Sequence, residues 1–327
     1  MGTIRVLLAA LLIGVALPAA AQPPAPAGPR AMSVQEQQLL GQLREIDGRV
    51  SIPNRNAGVL IQPAGRDWRV FQEQTMTWIG GIAVLGMLGV LVLFYLVRGK
   101  VRISAGASGR TIQRFNGFER FVHWLTASTF VVLAISGLNI SFGRMLLLPL
   151  VGHEAFASLS VVLKYAHNFL AFPFIVGLVL TLLTWIADNI PSRADARWFA
   201  AGGGLVGSTH PPAKRFNAGQ KLLFWSVVLG GAALSASGVL LLFPLQFTDI
   251  AGMQLANMVH GAVGLAMIGI IIAHIYIGSV GMEGAFDAMG SGQVDLNWAR
   301  EHHSLWVEEQ VAKGRAAVPP RGARAAE

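Results

Sequence analysis

Residues 257–280 read NMVHGAVGLAMIGIIIAHIYIGSV. The run is apolar and long enough to cross a hydrocarbon layer about 30 Å thick as one α-helix. It carries two histidines, His260 and His274, fourteen residues apart. That spacing is close to four helical turns, or roughly 21 Å of rise. Both imidazoles therefore leave the helix on the same side, one near each face of the layer. His123 and His167 lie on two other apolar segments. Imidazole inside a membrane is costly and usually functional. Four of them at two depths point to two metal centres stacked across the membrane, most simply two bis-histidine b hemes.

Composition sets the class. The chain has 327 residues, 53% hydrophobic and only 13% charged, which points to an integral membrane protein and not a soluble domain, and its helix-length apolar spans make it all-α. There is no cysteine, so disulfides, c-type heme attachment and cysteine-ligated iron–sulfur clusters are excluded from this chain. The net charge of +8 does not call for nucleic acid, because basic residues collect in loops on one side of a membrane protein.

The N-terminus reads as a signal peptide over 1–21. Arg5 precedes the apolar run Val6–Leu17, and Pro18 and Ala19-Ala20-Ala21 lead to Gln22. An uncleaved anchor is the competing reading. Residues 22–75 form a periplasmic segment, beginning with a proline-rich linker over 22–30. Residues 32–47 have helical character, with Leu39, Leu40, Leu43 and Ile46 on one stripe. Residues 48–75, with Pro53, Gly58, Pro63 and Gly65, read as loop and short extended pieces.

Five spans follow: an additional helix over 76–97, best defined from Trp78 to Val97, then Phe118–Phe142, Val161–Ala187, Gln220–Phe243 and Asn257–Val280. The last four make a four-helix bundle over 118–281. Residues 98–117 are a cytoplasmic linker and 282–327 a cytoplasmic tail. The loop 98–120 carries six basic residues (Arg98, Lys100, Arg102, Arg110, Arg114, Arg120), and 188–221 carries five (Arg193, Arg197, Lys214, Arg215, Lys221). The opposite loops carry Arg144 and Lys164, and none over 244–256. The bias places the basic loops and the C-terminus in the cytoplasm of a bacterial inner membrane, which agrees with an exported N-terminus.

Alternating direction then pairs the histidines by depth. His167 and His260 share the periplasmic side, and His123 and His274 the cytoplasmic side. Gly261 and Gly264 beside His260, Gly278 beyond His274 and Ala127 beyond His123 offer room for a flat macrocycle. Structural zinc fits poorly, because no cysteine or carboxylate accompanies either pair. A lone histidine in a packing hydrogen bond is the bland reading of each, and a non-redox scaffold or transporter is its counterpart for the whole chain. His153 and His210 read as loop residues, and His302 and His303 as surface residues of the tail. The run 214–221, Lys-Arg-Phe-Asn-Ala-Gly-Gln-Lys, opens the fourth span. Its free N–H groups and amides suit a polar headgroup such as a quinone, or simply a helix N-terminus with interfacial cations.

These residues resemble the cytochrome b (gamma) subunit of membrane-bound respiratory formate dehydrogenase. The resemblance covers about 111–310. It is carried by Arg114-Phe115-Asn116 with Glu119-Arg120-Phe121-Val122-His123-Trp124, by Lys164-Tyr165-Ala166-His167-Asn168, by 215–221, by Met258-Val259-His260-Gly261, and by Ala273-His274-Ile275-Tyr276. It implies a diheme four-helix cytochrome with the same axial pairing. It also implies partners: a molybdenum- or tungsten-pterin alpha subunit that oxidises formate, and an iron–sulfur beta subunit that feeds the periplasmic heme. No residue of this chain is then catalytic for formate. Quinone is reduced at the cytoplasmic heme, near Asn217, Gly219, Gln220 and His274. A nickel–iron hydrogenase cytochrome shares the histidine placement and is the alternative within the class. Arg120 and Lys164 are candidates to pair with heme propionates. The signal, the exported segment and the additional span depart from the four-span pattern, and a contact with exported partners or a tether are the readings for them.

Overall fold

The protein is seen in a computed structural model that describes residues 65–204 and 211–314. The signal peptide, the proline-rich linker, the helix expected over 32–47, His210 and residues 315–327 lie outside the described residues.

Five helices are long and apolar enough to cross a membrane: α1 (Asp67–Arg98), α2 (Gly117–Leu146), α3 (His153–Trp185), α5 (Ala218–Leu242) and α6 (Ile250–Gly281). A short helix, α4 (Arg193–Ala200), lies between α3 and α5. The ends of these helices differ from the hydropathy reading in an instructive way. Helical structure begins at Gly65, so residues 65–75 are not loop. No glycine or proline interrupts 66–77, and Arg69 pairs with Glu73 one turn on at 2.9 Å. α3 begins at His153, so His153 and Lys164 are helical residues, and His167 stands near the middle of α3 and not near its start. Arg144 lies in the last turn of α2. α6 begins at Ile250 because Asp249 caps it, its Oδ1 accepting the Gly252 N–H at 2.8 Å. Polar residues end a hydropathic stretch but not a helix; caps and breakers do that.

The helices meet where small residues let them. A Cβ on Gly177 of α3 would lie 2.6 Å from Thr126 Oγ1 of α2, and beside this contact Thr126 and Thr181 share a hydroxyl hydrogen bond of 3.2 Å. Gly231 of α5 takes Leu178 of α3, and Gly230 takes Met267 of α6. α1 docks on α6 in the same manner. Gly269 faces the Ala83 carbonyl so closely that a Cβ there would sit 2.7 Å from the oxygen, and Gly80 receives Phe142 and Leu265. Gly269→Val is expected to loosen α1 at a cost of about 1–3 kcal/mol, the usual scale of overpacking. Thermal unfolding in detergent checks this; an unshifted transition would mean that α1 is not held at this contact.

The segments read as a linker and a tail fold together into a cap over one end of the bundle. Val101 bridges to Met282 in parallel. Strand β1 (Thr111–Gln113) pairs antiparallel with β2 (Gln293–Asp295), with Ile112 opposite Val294. Gly292 enters β2 with φ +85°, where a side chain would strike the Phe115 carbonyl. Helices α7 (Leu296–His302) and α8 (Ser304–Ala312) complete the cap. Ile103, Ile112, Phe115, Val294, Leu296, Trp298 and Trp306 form its core, continuous with Val122, Trp185 and Phe224 of the bundle.

The tail histidines are therefore not surface residues. His303 is fully buried, with Nδ1 2.8 Å from the Lys214 carbonyl. A carbonyl only accepts, so Nδ1 carries the proton. Burial, reinforced by the Arg114 charge, holds this imidazole well below its ordinary range and hence neutral. His302 packs on Trp298 with ring centroids 5.2 Å apart. Arg114 lies between the Phe115, Trp298 and Trp306 rings at 5.3–5.4 Å. Burial, then the neighbouring Arg215, lower its guanidinium to about 9, which leaves it cationic at neutral pH.

Candidate functional site

The bundle brings the four histidines together in two pairs. His123 of α2 faces His274 of α6, with ring centroids 6.1 Å apart and planes at 65°. His167 of α3 faces His260 of α6, also at 6.1 Å, with planes at 70°. The first pair lies at the capped, basic end, and the second towards the far end. A metal–imidazole bond is about 2.0–2.1 Å, and the ring centre lies about 1.1 Å behind the nitrogen, so two trans imidazoles on one ion have centroids about 6.3 Å apart. Both pairs fit that span. Among the described residues no group of three or more His, Cys, Asp or Glu side chains comes together. A two-ligand site suits a metal that brings its own equatorial ligands, as heme does, and not structural zinc.

The far-end pair has an ordered surround. Ser136 Oγ of α2 is 2.9 Å from His167 Nδ1, and Ser237 Oγ of α5 is 3.0 Å from His260 Nδ1. With Nδ1 engaged on each ring, Nε2 is the nitrogen left for a metal. The residues after these serines, Gly137 and Gly238, give the rings their space: a Cβ would lie 3.4 Å from His167 Cε1 and 3.2 Å from His260 Cε1. The small residues expected to admit a macrocycle are employed differently. Gly261 is filled by Met76 of α1, Gly264 faces Leu234 of α5, and Gly278 faces open space. At the basic-end pair, His123 Nδ1 is buried and has no hydrogen-bond partner.

The serines belong to an internal repeat that hydropathy conceals. Arg114-Phe115-Asn116 recurs 101 residues later as Arg215-Phe216-Asn217, and Trp124, Ser136 and Gly137 recur at the same offset as Trp225, Ser237 and Gly238. The repeat is visible in the fold. Arg114 Nη2 donates to the Arg215 carbonyl at 2.6 Å, and Arg215 Nη2 donates to the Arg114 carbonyl at 3.1 Å. The serines of the far-end pair keep the 101-residue offset, whereas the histidines, one from each half, stand 93 residues apart. The basic-end pair breaks it, because Phe224 stands where the first half has His123.

The run 214–221 is built into the basic end. Arg215 pairs with Glu119 at 2.5 Å and Asp188 at 2.9 Å. Asn217 and Gln220 form a capping box: Asn217 Oδ1 accepts the Gln220 N–H at 2.9 Å, and Gln220 Oε1 accepts the Asn217 N–H at 3.0 Å. Both amide oxygens are spent there, and the two NH2 groups lie outside the box. A Cβ on Gly219 would lie 3.0 Å from Trp198, so this glycine admits the indole of α4. The Lys221 ammonium donates to Asp195 at 2.9 Å and to the Ile190 carbonyl at 3.0 Å. Burial opposes ionisation of Asp195, but Lys221 and Ser192 outweigh it and hold the carboxyl below its usual range. A small pocket, partly open to solvent, lies among Asp195, Trp198, Phe216, Asn217 and Lys221. Arg120 is occupied with the Met289 and Gly290 carbonyls and is not free for a propionate.

The chain is similar to several proteins named as formate dehydrogenase subunits. The nitrate-inducible formate dehydrogenase cytochrome b556(Fdn) subunit of Escherichia coli K12 is 26% identical over 62% of this chain and 93% of its own length. The formate dehydrogenase cytochrome b556(fdo) subunit of the same strain is 29% identical over 61% and 93%. The formate dehydrogenase cytochrome b556 subunit of Haemophilus influenzae is 28% identical over 59% and 80%. Residues 114–292, more than half of the chain and the stretch holding all four paired histidines, match a single family. With five spanning helices and those imidazoles between them, the chain belongs to the prokaryotic cytochrome b561 family.

Proposed function

We propose that this chain is the membrane cytochrome b subunit of a formate dehydrogenase complex. In this reading it takes electrons from an iron–sulfur partner at the far, periplasmic end and delivers them to quinone at the basic, cytoplasmic end. The observation that carries it is the pair of imidazole couples, each at 6.1 Å, at two levels of one bundle. Heme b binding follows from the family; two hemes held by these four histidines are the finer proposal. When bound, they supply one-electron transfer between the two ends. The residues of the chain supply the rest. His167 and His260 hold one centre, and His123 and His274 the other. Ser136 and Ser237 fix the ring tautomers of the first pair. The apolar helices keep water from both. The NH2 groups of Asn217 and Gln220 are donors for a quinone carbonyl, and Gly219 lets Trp198 close the same corner. The names of the relatives support formate as the upstream substrate.

The test is to purify the chain with its partner subunits and add formate under anaerobic conditions. Reduction of a b-type spectrum, with reoxidation by a quinone analogue, is expected. A complex that contains nickel–iron protein and is reduced by hydrogen but not by formate would replace this reading with the hydrogenase one.

A further inference from the structure

We infer that Ser136 and Ser237 are positioning residues that lower the reduction potential of the His167–His260 centre, one acting on each axial ligand. The inference rests on the reading that these two histidines hold one heme.

A serine hydroxyl has one proton, and here its destination is fixed. Ser136 Oγ is 2.7 Å from the Val132 carbonyl, and Ser237 Oγ is 2.6 Å from the Ala233 carbonyl, each one turn back on its own helix. A carbonyl only accepts, so the hydroxyl proton goes to it. The serine oxygen is then left as acceptor for the imidazole, which donates Nδ1–H, with the Leu133 and Leu234 carbonyls as the neighbouring acceptors at His167 and His260. Each ring is thus held as the Nδ1–H tautomer with the Nε2 lone pair facing the metal. An acceptor on Nδ1–H makes the imidazole a stronger base, and a more basic axial ligand favours the ferric over the ferrous state. The internal repeat applies this device twice to one iron.

His123 at the other centre has a buried Nδ1 with no partner. At least one ring of the basic-end couple therefore lacks the serine contact that both far-end rings have.

The experiment is an optical redox titration of the intact complex carrying Ser136→Ala, Ser237→Ala or both. The far-end heme should become easier to reduce. The double variant should raise its reduced-to-oxidised ratio at fixed potential about tenfold, which is about 59 mV for a one-electron couple. Each single change should give part of that shift, and the other heme should not move. Ser136→Thr and Ser237→Thr keep the hydroxyl and should keep the original potential. Unchanged midpoints with both hemes bound overturn the inference, as do equal shifts in both hemes. If the alanine variants lose the far-end heme, normal loading of the threonine variants supports the hydroxyl role, and their failure to load overturns it. His167→Ala separates this from failure of the underlying reading. Retention of both hemes in that variant would mean the ligands are misassigned, whatever the serines do.

Discussion

His260→Ala is expected to remove one of two hemes, leave the other spectrally intact, and stop electron flow from formate to quinone. The ring it deletes stands opposite His167 at a centroid distance of 6.1 Å, and among the described residues no other histidine is paired with that ring. Loss of an outer-shell partner typically costs 10–100-fold in metal affinity. Loss of the ligand itself should exceed that and empty the site. On the proposed assignment the remaining centre would draw on His123 and on His274, which is four turns away on the same helix. The reduced b-type band should therefore fall by about half, and formate-driven quinone reduction should drop to background. His167→Ala should deplete the same heme as His260→Ala, while His123→Ala and His274→Ala deplete the other. The quantity to measure is pyridine-hemochrome content together with the low-temperature spectrum of each variant. Depletion of one common heme by His167→Ala and His123→Ala would falsify the pairing.

The spans and the histidine pairs were legible because each rests on a local pattern. An apolar run long enough to span needs no knowledge of its neighbours, and antiparallel alternation alone matches His123 with His274 and His167 with His260. Helix ends were less legible. At Gly65, His153 and Ile250 the helix runs past the last strongly apolar residue, and hydropathy does not register a cap such as Asp249. The cap was not legible at all. Its strands have three residues each and lie on either side of the whole bundle in sequence, so neither carries a period long enough to recognise. Buried His303 escaped for the same reason, because its partner is the Lys214 carbonyl from another loop. Ser136 and Ser237 could have been found. A search for internal repeats at the offset of Arg-Phe-Asn shows them, whereas a search for polar residues in apolar helices passes over serine as small and common.

Glu119→Ala is expected to have the second large effect, because this carboxylate ties its own helix, α2, to α3 and to the segment that enters α5. Its Oε1 meets Arg215 Nη2 at 2.5 Å and accepts the Trp185 indole N–H at 3.2 Å. Its Oε2 accepts the Asn116 N–H at 2.9 Å, completing the capping box of α2. The residue is 6% exposed. Alanine would leave the indole without this acceptor, remove half of the capping box, and leave Arg215 with Asp188 as its remaining carboxylate among the described residues. Breaking one side of a buried pair typically costs about 3–5 kcal/mol, far more than an exposed pair contributes. Glu119 lies one turn before His123 on α2, so the disturbance should fall on the basic-end heme first. The variant should melt earlier in detergent and lose the His123–His274 heme while retaining the far-end one. Glu119→Gln separates the two roles, since Gln220 occupies the equivalent place in the second half and caps its helix well. The glutamine variant should keep the cap, lose the ion pair, and fall between wild type and alanine in both heme occupancy and melting. If glutamine is as damaging as alanine, the charge on Arg215 is the dominant partner. If both variants melt like the wild type, these elements are held together by the aromatic contacts of Phe115, Trp185 and Phe216 and not by this carboxylate.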